Sequence, residues 1–353
     1  MTPLSEYLEA SEPTRRERAE NWRVAIGLQK VDGLEVSPYL IETARRNVEG
    51  EISAEEARRI VRQYYEEKPP GADPEAHGEA DHTSTNINAI LAEPSFRLSP
   101  EYFIGLHRRI FDGVFPFAGQ LRNVDITKKE WVLDGETILY TPWTEIAASL
   151  DWDFRNERDY RYPPRDRDAL VEHFASFISG VWQIHPFREG NTRTIAVFSV
   201  KYLHELRFKG VTNEPFAENA WFFRNALVRA NYRDPLRGIS KTTKPLVDFF
   251  RNILFGETNE LKNRLLHIRV EELGFVQTVK GDETTTNVTE NVTENRVARL
   301  LSLIAANPAV STGELASILG VTRRTIARDI AALKASNRLR RIGPDKGGHW
   351  EVP

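Results

Sequence analysis

Two helical runs separated by one short polar break constrain this chain more than any other feature. Between Asp168 and Ile184, the residues Leu170, Phe174, Phe177, Ile178, Val181, Trp182 and Ile184 are apolar on more than one side of a helix. Such a helix needs neighbours all round it. After the break His185-Pro186-Phe187-Arg188-Glu189-Gly190-Asn191, a second helix, over 192–205, opens on the apolar stretch Ile195 to Val200. Two helices of this kind are the centre of a mainly α domain, and the rest of the chain has to supply its shell.

The break has the composition of a phosphate site. Gly190 can take backbone angles that other residues avoid, and the helix after it presents free N–H groups and a positive dipole end to an anion. Arg193 offers a charge-assisted fork for phosphate oxygens, with Asn191 and Thr192 as neutral neighbours. Glu189 alone is too few ligands for a protein-only metal cage, but one carboxylate with substrate phosphates is a common way to hold Mg²⁺. His185, delivered by the end of a rigid helix, is the side chain suited to take a proton near neutral pH. Phosphoryl or nucleotidyl transfer is the chemistry these residues point to. The same residues also suit an ordinary loop and helix start, with Glu189 and Arg193 as an i,i+4 pair.

The run resembles the signature of the Fic (fido) family, matching it at His185, Phe187, Glu189, Gly190, Asn191 and Arg193. The resemblance implies a helical enzyme that moves AMP from ATP-Mg²⁺ onto a Ser, Thr or Tyr hydroxyl of a target protein or of itself. It implies His185 as the base, Glu189 as the Mg²⁺ ligand, Gly190, Asn191, Thr192 and Arg193 at the phosphates, and Phe187 as a core anchor. Many members have glycine where Thr192 stands and a second arginine where Ala196 stands, so nucleotide identity stays open.

Three helices are expected before this region: residues 14–31, 37–48 with Pro38 in the first turn, and 53–65 opened by the capping box Ser53-x-x-Glu56. This module, 1–70, resembles the antitoxin element of Fic systems, whose glutamate competes with phosphate by pairing with the second arginine. Asp32, followed by Gly33, occupies that glutamate's place; with Ala196 opposite, its expected partner is absent. Asp32-Gly33 as a plain helix stop is the alternative. The catalytic domain is placed at 71–276, with helices resuming at 84–91 and 99–111, where His107 is read as structural. Within 123–141 the period switches: Val124, Ile126 and Trp131 to Leu133, then Thr137 to Tyr140, read as two strands about the Asp134-Gly135 turn. In the family this hairpin is a flap that pairs with the target's backbone, which makes Thr127, Lys128 and Lys129 flap residues. Asn225, Arg229, Asn231 and Tyr232 lie where relatives approach the nucleotide base.

Charge separates the tail from the body. The chain has a net charge of −3, yet residues 296–353 hold ten Lys/Arg against four Asp/Glu, so the remainder is strongly acidic. The tail follows the polar, repeat-bearing linker 277–295. Its three short helices and a hairpin, 339–342 with 349–352, look like a winged helix-turn-helix. Arg323, Arg324 and Arg328 are its candidate DNA contacts, and a protein-binding winged helix is the alternative. Cysteine is absent, which excludes disulfides and cysteine metal sites. No run approaches membrane length, and a cytoplasmic protein without membrane partners is expected. A homodimer is left open. The leading expectation is protein adenylyl transfer. The second is a weakly catalytic, nucleotide-binding Fic scaffold acting as a DNA-binding regulator, and the third is transfer of another phosphate-containing group.

Overall fold

A computed structural model describes residues 3–8, 13–67, 77–163, 165–206, 208, 212–270, 300–301, 303–305, 307–308, 310–312, 314–315, 326, 329–331, 333–334, 338–342 and 349–351. The linker 277–295 and the candidate DNA contacts Arg323, Arg324 and Arg328 lie outside the described residues. The chain divides into two compact units, one of residues 1–128 and 137–268, the other of residues 129–136 and 269–353.

The first unit is helical. Helix α1 (Pro13–Gly27) runs on into the 3-10 turn Leu28–Asp32, and α2 (Pro38–Glu49) and α3 (Ala54–Glu66) follow. Ser37 and Ser53 cap α2 and α3 by accepting the N–H groups of Leu40 and Glu56, so the sequence signals for these starts correspond to real caps. The three helices close on Trp22, Leu40, Ala44, Val48, Ala57 and Val61, all fully buried.

Helix α4 (Gly78–Ala92) starts earlier than its apolar residues suggest, because it packs against α1 and α3 and buries polar side chains. Those side chains work as internal caps: Asn86 donates to the carbonyls of Ile110 and Asp112, and Ser84 donates to Ala25. Asp81 accepts from the Ser37 amide and hydroxyl and from the Tyr65 hydroxyl, fastening α4 to the N-terminal helices. Helix α5 (Pro100–Ile110), capped by Ser99, then leads to the loop 111–145.

Helix α6 (Ile146–Asp159) precedes the central pair, α7 (Arg167–Ile184) and α8 (Asn191–Glu205). Every residue of α8 from Asn191 to Leu203 is buried. Lys201, at its far end, reaches the carbonyls of Ile90 and Glu93 at the C-terminus of α4, where a cation is favoured. The short α9 (Glu214–Glu218), α10 (Ala220–Asn231) and α11 (Lys244–Phe255) complete the shell, with Phe216, Phe223, Phe249 and Phe250 packed edge-to-face or tilted between them. Residues 257–268 hold only the 3-10 turn Asn263–Leu266.

The expected flap strands do not form. Residues 123–141 contain no strand; Trp131–Leu133 coils into a 3-10 turn and Asp134 adopts the left-handed region at φ 55°. Two backbone bonds, Glu130 N–H to the Glu136 carbonyl and Gly135 N–H to the Glu130 carbonyl, close the turn. Val132 and Leu133 are adjacent and both fully buried, which a strand with one solvated face cannot achieve and a helical turn can.

In the second unit, Leu300, Ile304, Val310, Leu315, Ile326, Ile330, Leu333 and Leu339 form a separate core. Ser311 and Glu314 make a reciprocal capping box. Strands β1 (Arg340–Ile342) and β2 (His349–Glu351) pair antiparallel, Arg341 opposite Trp350, giving the only sheet among the described residues.

Candidate functional site

The site is built on the break between α7 and α8. His185 ends α7 in the left-handed region at φ 50°, an uncommon state for a non-glycine residue that aims the chain out of the helix. Arg122 holds it there. Its fully buried guanidinium donates to the carbonyls of His185 (2.8 Å), Ile184, Val124 and Thr141, while its own amide donates to Pro186. One side chain thereby fastens both ends of the loop 123–141 to the base.

The loop after His185 is locked from inside. The Asn191 amide accepts from the Phe187 N–H at 3.0 Å and donates to the Phe187 carbonyl at 2.8 Å, so both its polar atoms are spent on the backbone. Phe187 is fully buried and stacks on His107 at 3.7 Å. His107 accepts the Gly119 N–H at Nδ1, which leaves Nε2–H to donate to the Glu189 carbonyl. Burial pushes its pKa down to about 4, so this histidine is neutral and structural. Gly190 sits at φ 77°, and a Cβ there would stand 2.2 Å from the Phe111 ring. The close approach that demands glycine is therefore made by Phe111. Thr192 accepts from the Trp182 indole N–H, tying α8 to α7.

The recess left over is lined by Asp32, Lys128, His185, Glu189, Gly190, Asn191, Thr192 and Arg224. No side chain caps the α8 N-terminus, which opens on it. His185 is 3% exposed, and neither ring nitrogen has a hydrogen-bond partner. The Tyr140 ring lies 4.3 Å from its own. Burial above all, then the charges of Lys128, Arg224 and Arg122, holds its pKa well below the usual histidine range. A neutral imidazole with both nitrogens unengaged can accept a proton. Glu189 is half-exposed and paired with Lys128 at 3.1 Å. Among the described residues no three His, Cys, Asp or Glu side chains cluster as a metal cage. The donor set fits a Mg²⁺ ion that brings its own phosphate and water ligands to one carboxylate.

Arg193 does not line the recess. It is wholly buried, bonded to Gln29 at 3.0 Å and Glu79 at 2.8 Å, and it lies over the Phe111 ring. Its Nε stands 2.9 Å from Asp32, an ion pair without hydrogen-bond alignment. Asp32 therefore has a partner, contrary to the expectation from Ala196, one helical step nearer the start of α8. Gly33, at φ 68°, ends the 3-10 turn as a backbone stop.

Of the other sequence candidates, Thr127 and Lys129 are exposed. Asn225 donates to Asn263, Asn231 to Ser179, and the Tyr232 hydroxyl accepts from Arg237, so all three are engaged within the fold. Arg229 is largely buried, which lowers its pKa. Arg122, Arg224 and Tyr140 were not singled out by the sequence. Arg224 neighbours Asn225, which was, but only the packing of α10 decides which of the two faces the recess.

Residues 97–203 match the Fic/DOC family, and residues 296–343 match an HTH domain. The chain is similar to "Probable protein adenylyltransferase y4lH" of Sinorhizobium fredii (strain NBRC 101917 / NGR234), 32% identical over 108 residues. That match covers 30% of this chain and 53% of the relative, so the chain spans about half the relative's length. Among solved structures it is similar to the crystal structure of a Fic family protein from Desulfovibrio desulfuricans G20 at 2.70 Å resolution. There the TM-score is 0.43 at 15% identity, covering 97% of this chain and 88% of the other.

Proposed function

We infer that this chain, a Fic-family protein with a C-terminal helix-turn-helix domain, is a protein nucleotidyltransferase that moves AMP from ATP to a hydroxyl side chain of a target protein or of itself. The observation that carries this reading is His185: buried, neutral, with both ring nitrogens unpartnered, beside an uncapped helix start in a recess edged by Lys128 and Arg224. A buried polar group left unpaired costs free energy, and a functional role is a common reason for it to persist.

In the reaction, the oxygen of a Ser, Thr or Tyr hydroxyl attacks the α-phosphorus. His185 takes the hydroxyl proton, the P–O bond to the β-phosphate breaks, and pyrophosphate leaves. The N–H groups at the start of α8 face the developing charge on the phosphoryl oxygens. Asn191 contributes by holding the Phe187–Asn191 loop in shape, and Thr192 by anchoring α8 to Trp182. Mg²⁺, arriving with the nucleotide and held by Glu189, would supply charge neutralisation. Asp32 restrains the site: its carboxylate lines the recess and would repel a nucleotide's phosphates.

The test is incubation of the purified full chain with Mg²⁺ and α-labelled ATP, GTP, UTP or CTP, read by intact mass and label on protein. A nucleotide-sized gain that disappears in His185→Ala, and grows in Asp32→Ala, is expected with ATP. ATP binding without transfer to the chain or to any protein of a cell extract would overturn the enzyme reading. It would leave the second one, a nucleotide-responsive DNA-binding regulator, which the HTH match at 296–343 favours.

A further inference from the structure

A base that takes a proton needs its ring held in one orientation. In a hydrogen-bonded triad a third group on the far ring nitrogen does that work. Neither ring nitrogen of His185 has a hydrogen-bond partner among the described residues, although both are buried. Its ring is set instead in the corner formed by two aromatic side chains. Tyr140 lies against it at 4.3 Å between centroids, tilted by 46°, and Trp182 meets it edge-on at 5.5 Å and 81°. The two aromatics also pack on each other, edge to face at 6.2 Å.

We propose that Tyr140 is a positioning residue for proton transfer at His185: with Trp182 it makes an aromatic corner that fixes the imidazole by packing, and Thr192 couples that corner to the start of α8. The proposal rests on the nucleotidyltransferase reading of the same recess, which it deepens by naming what orients the base.

Each wall of the corner is itself fastened. Tyr140 is held through both of its neighbours. The Leu139 carbonyl accepts from the Gln183 side chain of α7 at 2.9 Å, and the Thr141 carbonyl accepts from Arg122, the same guanidinium that donates to the His185 carbonyl. Trp182 is 1% exposed, and its indole N–H donates to the Thr192 hydroxyl at 3.0 Å. Main chain and ring are therefore held by different means: Arg122 and the left-handed turn fix the His185 backbone, and the aromatic corner fixes its side chain. Packing of this kind occupies neither imidazole nitrogen, so both stay open to a substrate proton. A carboxylate in the same place would favour the protonated ring, whereas burial and the charges of Lys128, Arg224 and Arg122 keep it neutral, with Asp32 and Glu189 the acids that line the recess. Thr192 lies in the first turn of α8, so the seat offered to a phosphate and the wall behind the base share one hydrogen bond.

The experiment compares wild type, Tyr140→Phe, Tyr140→Leu, Tyr140→Ala, Thr192→Ser and Thr192→Val in the full chain, each checked for its melting temperature. One readout is the label-transfer rate and the KM for ATP. The other is the proton–carbon imidazole signal of His185 through a pH titration of histidine-labelled protein, assigned with His185→Ala. Tyr140→Phe keeps the ring and should stay close to wild type in both. Tyr140→Ala should lower the rate at saturating ATP about tenfold with KM changed less than about twofold, because the base is misoriented and not the nucleotide. Water then reaches the imidazole, and its titration moves up towards 6.5. Thr192→Val removes the indole's acceptor at nearly constant shape and should lower the rate in the same sense, with Thr192→Ser restoring it. If Tyr140→Ala melts below the working temperature, Tyr140→Leu, which keeps apolar bulk without a ring, is read in its place. Wild-type rate and wild-type His185 titration in the ringless variant overturn the proposal. An equal rate loss in Tyr140→Phe also overturns it, since the hydroxyl and not the ring would then be responsible. If wild type moves no label, the transferase reading fails, and the His185 signal alone decides whether the corner holds the ring.

Discussion

His185 and Gly190 show how much of the site is decided one residue at a time. Burial and three nearby cations hold the His185 imidazole neutral to well below pH 6.5, the unperturbed value. The acid limb of the label-transfer rate is therefore expected far below neutrality in wild type. Removing a neighbouring positive charge makes protonation easier, so Lys128→Gln should move that limb to higher pH, read from a pH profile of initial rates. The opposite movement, or none, would mean Lys128 does not act on the base. At Gly190 the restriction is steric on two counts, a left-handed φ and a ring at 2.2 Å from where a Cβ would be. Gly190→Ala should lower stability by about 2–4 kcal/mol, measured by urea unfolding, because Phe111 has to move while Arg193 lies on its face.

At the scale of elements, the fold was legible where burial follows a period and illegible where it follows distant partners. The apolar residues of α7 and the capping serines of α2 and α3 are local signals, and the helices formed as those signals indicate. The turn at Asp134-Gly135 is also a local signal, but the burial of adjacent Val132 and Leu133 overrode the strand pattern around it. Arg193 illustrates the second case. Its motif position suggests a ligand, whereas its partners Gln29 and Glu79 are 164 and 114 residues away in sequence, with nothing local to announce them. Because this one side chain joins three elements, Arg193→Met should cost about 2–4 kcal/mol. The upper range for a broken buried pair is discounted because Asp32 and Glu79 are about one third exposed. Double-mutant unfolding with Asp32→Asn should show non-additivity, and simple additivity would disprove the coupling.

For the molecule as a whole, acid is the condition that tests this architecture. His107, His185, His82 and His204 all have pKa values lowered chiefly by burial, His107 to about 4. A lowered histidine pKa means the unfolded chain binds protons that the folded chain refuses. The stability these groups contribute is complete above their unfolded value of 6.5 and is lost as pH falls towards the folded values. His107 alone would cost about 2 kcal/mol between pH 6.5 and about pH 5. Asp81 and Asp153, whose pKa values burial raises above 3.8, act in the opposite sense: they recover stability as pH falls through their folded values. The histidine contribution begins to be lost as pH falls through 6.5, and its effect is destabilising. In a unit of this size the melting temperature at about pH 5 should lie roughly 4–8 °C below that at about pH 7.5. The drop should be smaller in His107→Gln, whose unfolded chain has lost that proton site. A melting temperature equally steep in pH for wild type and His107→Gln would show that the neutral His107 bridge between Gly119 and Glu189 is not what acid breaks.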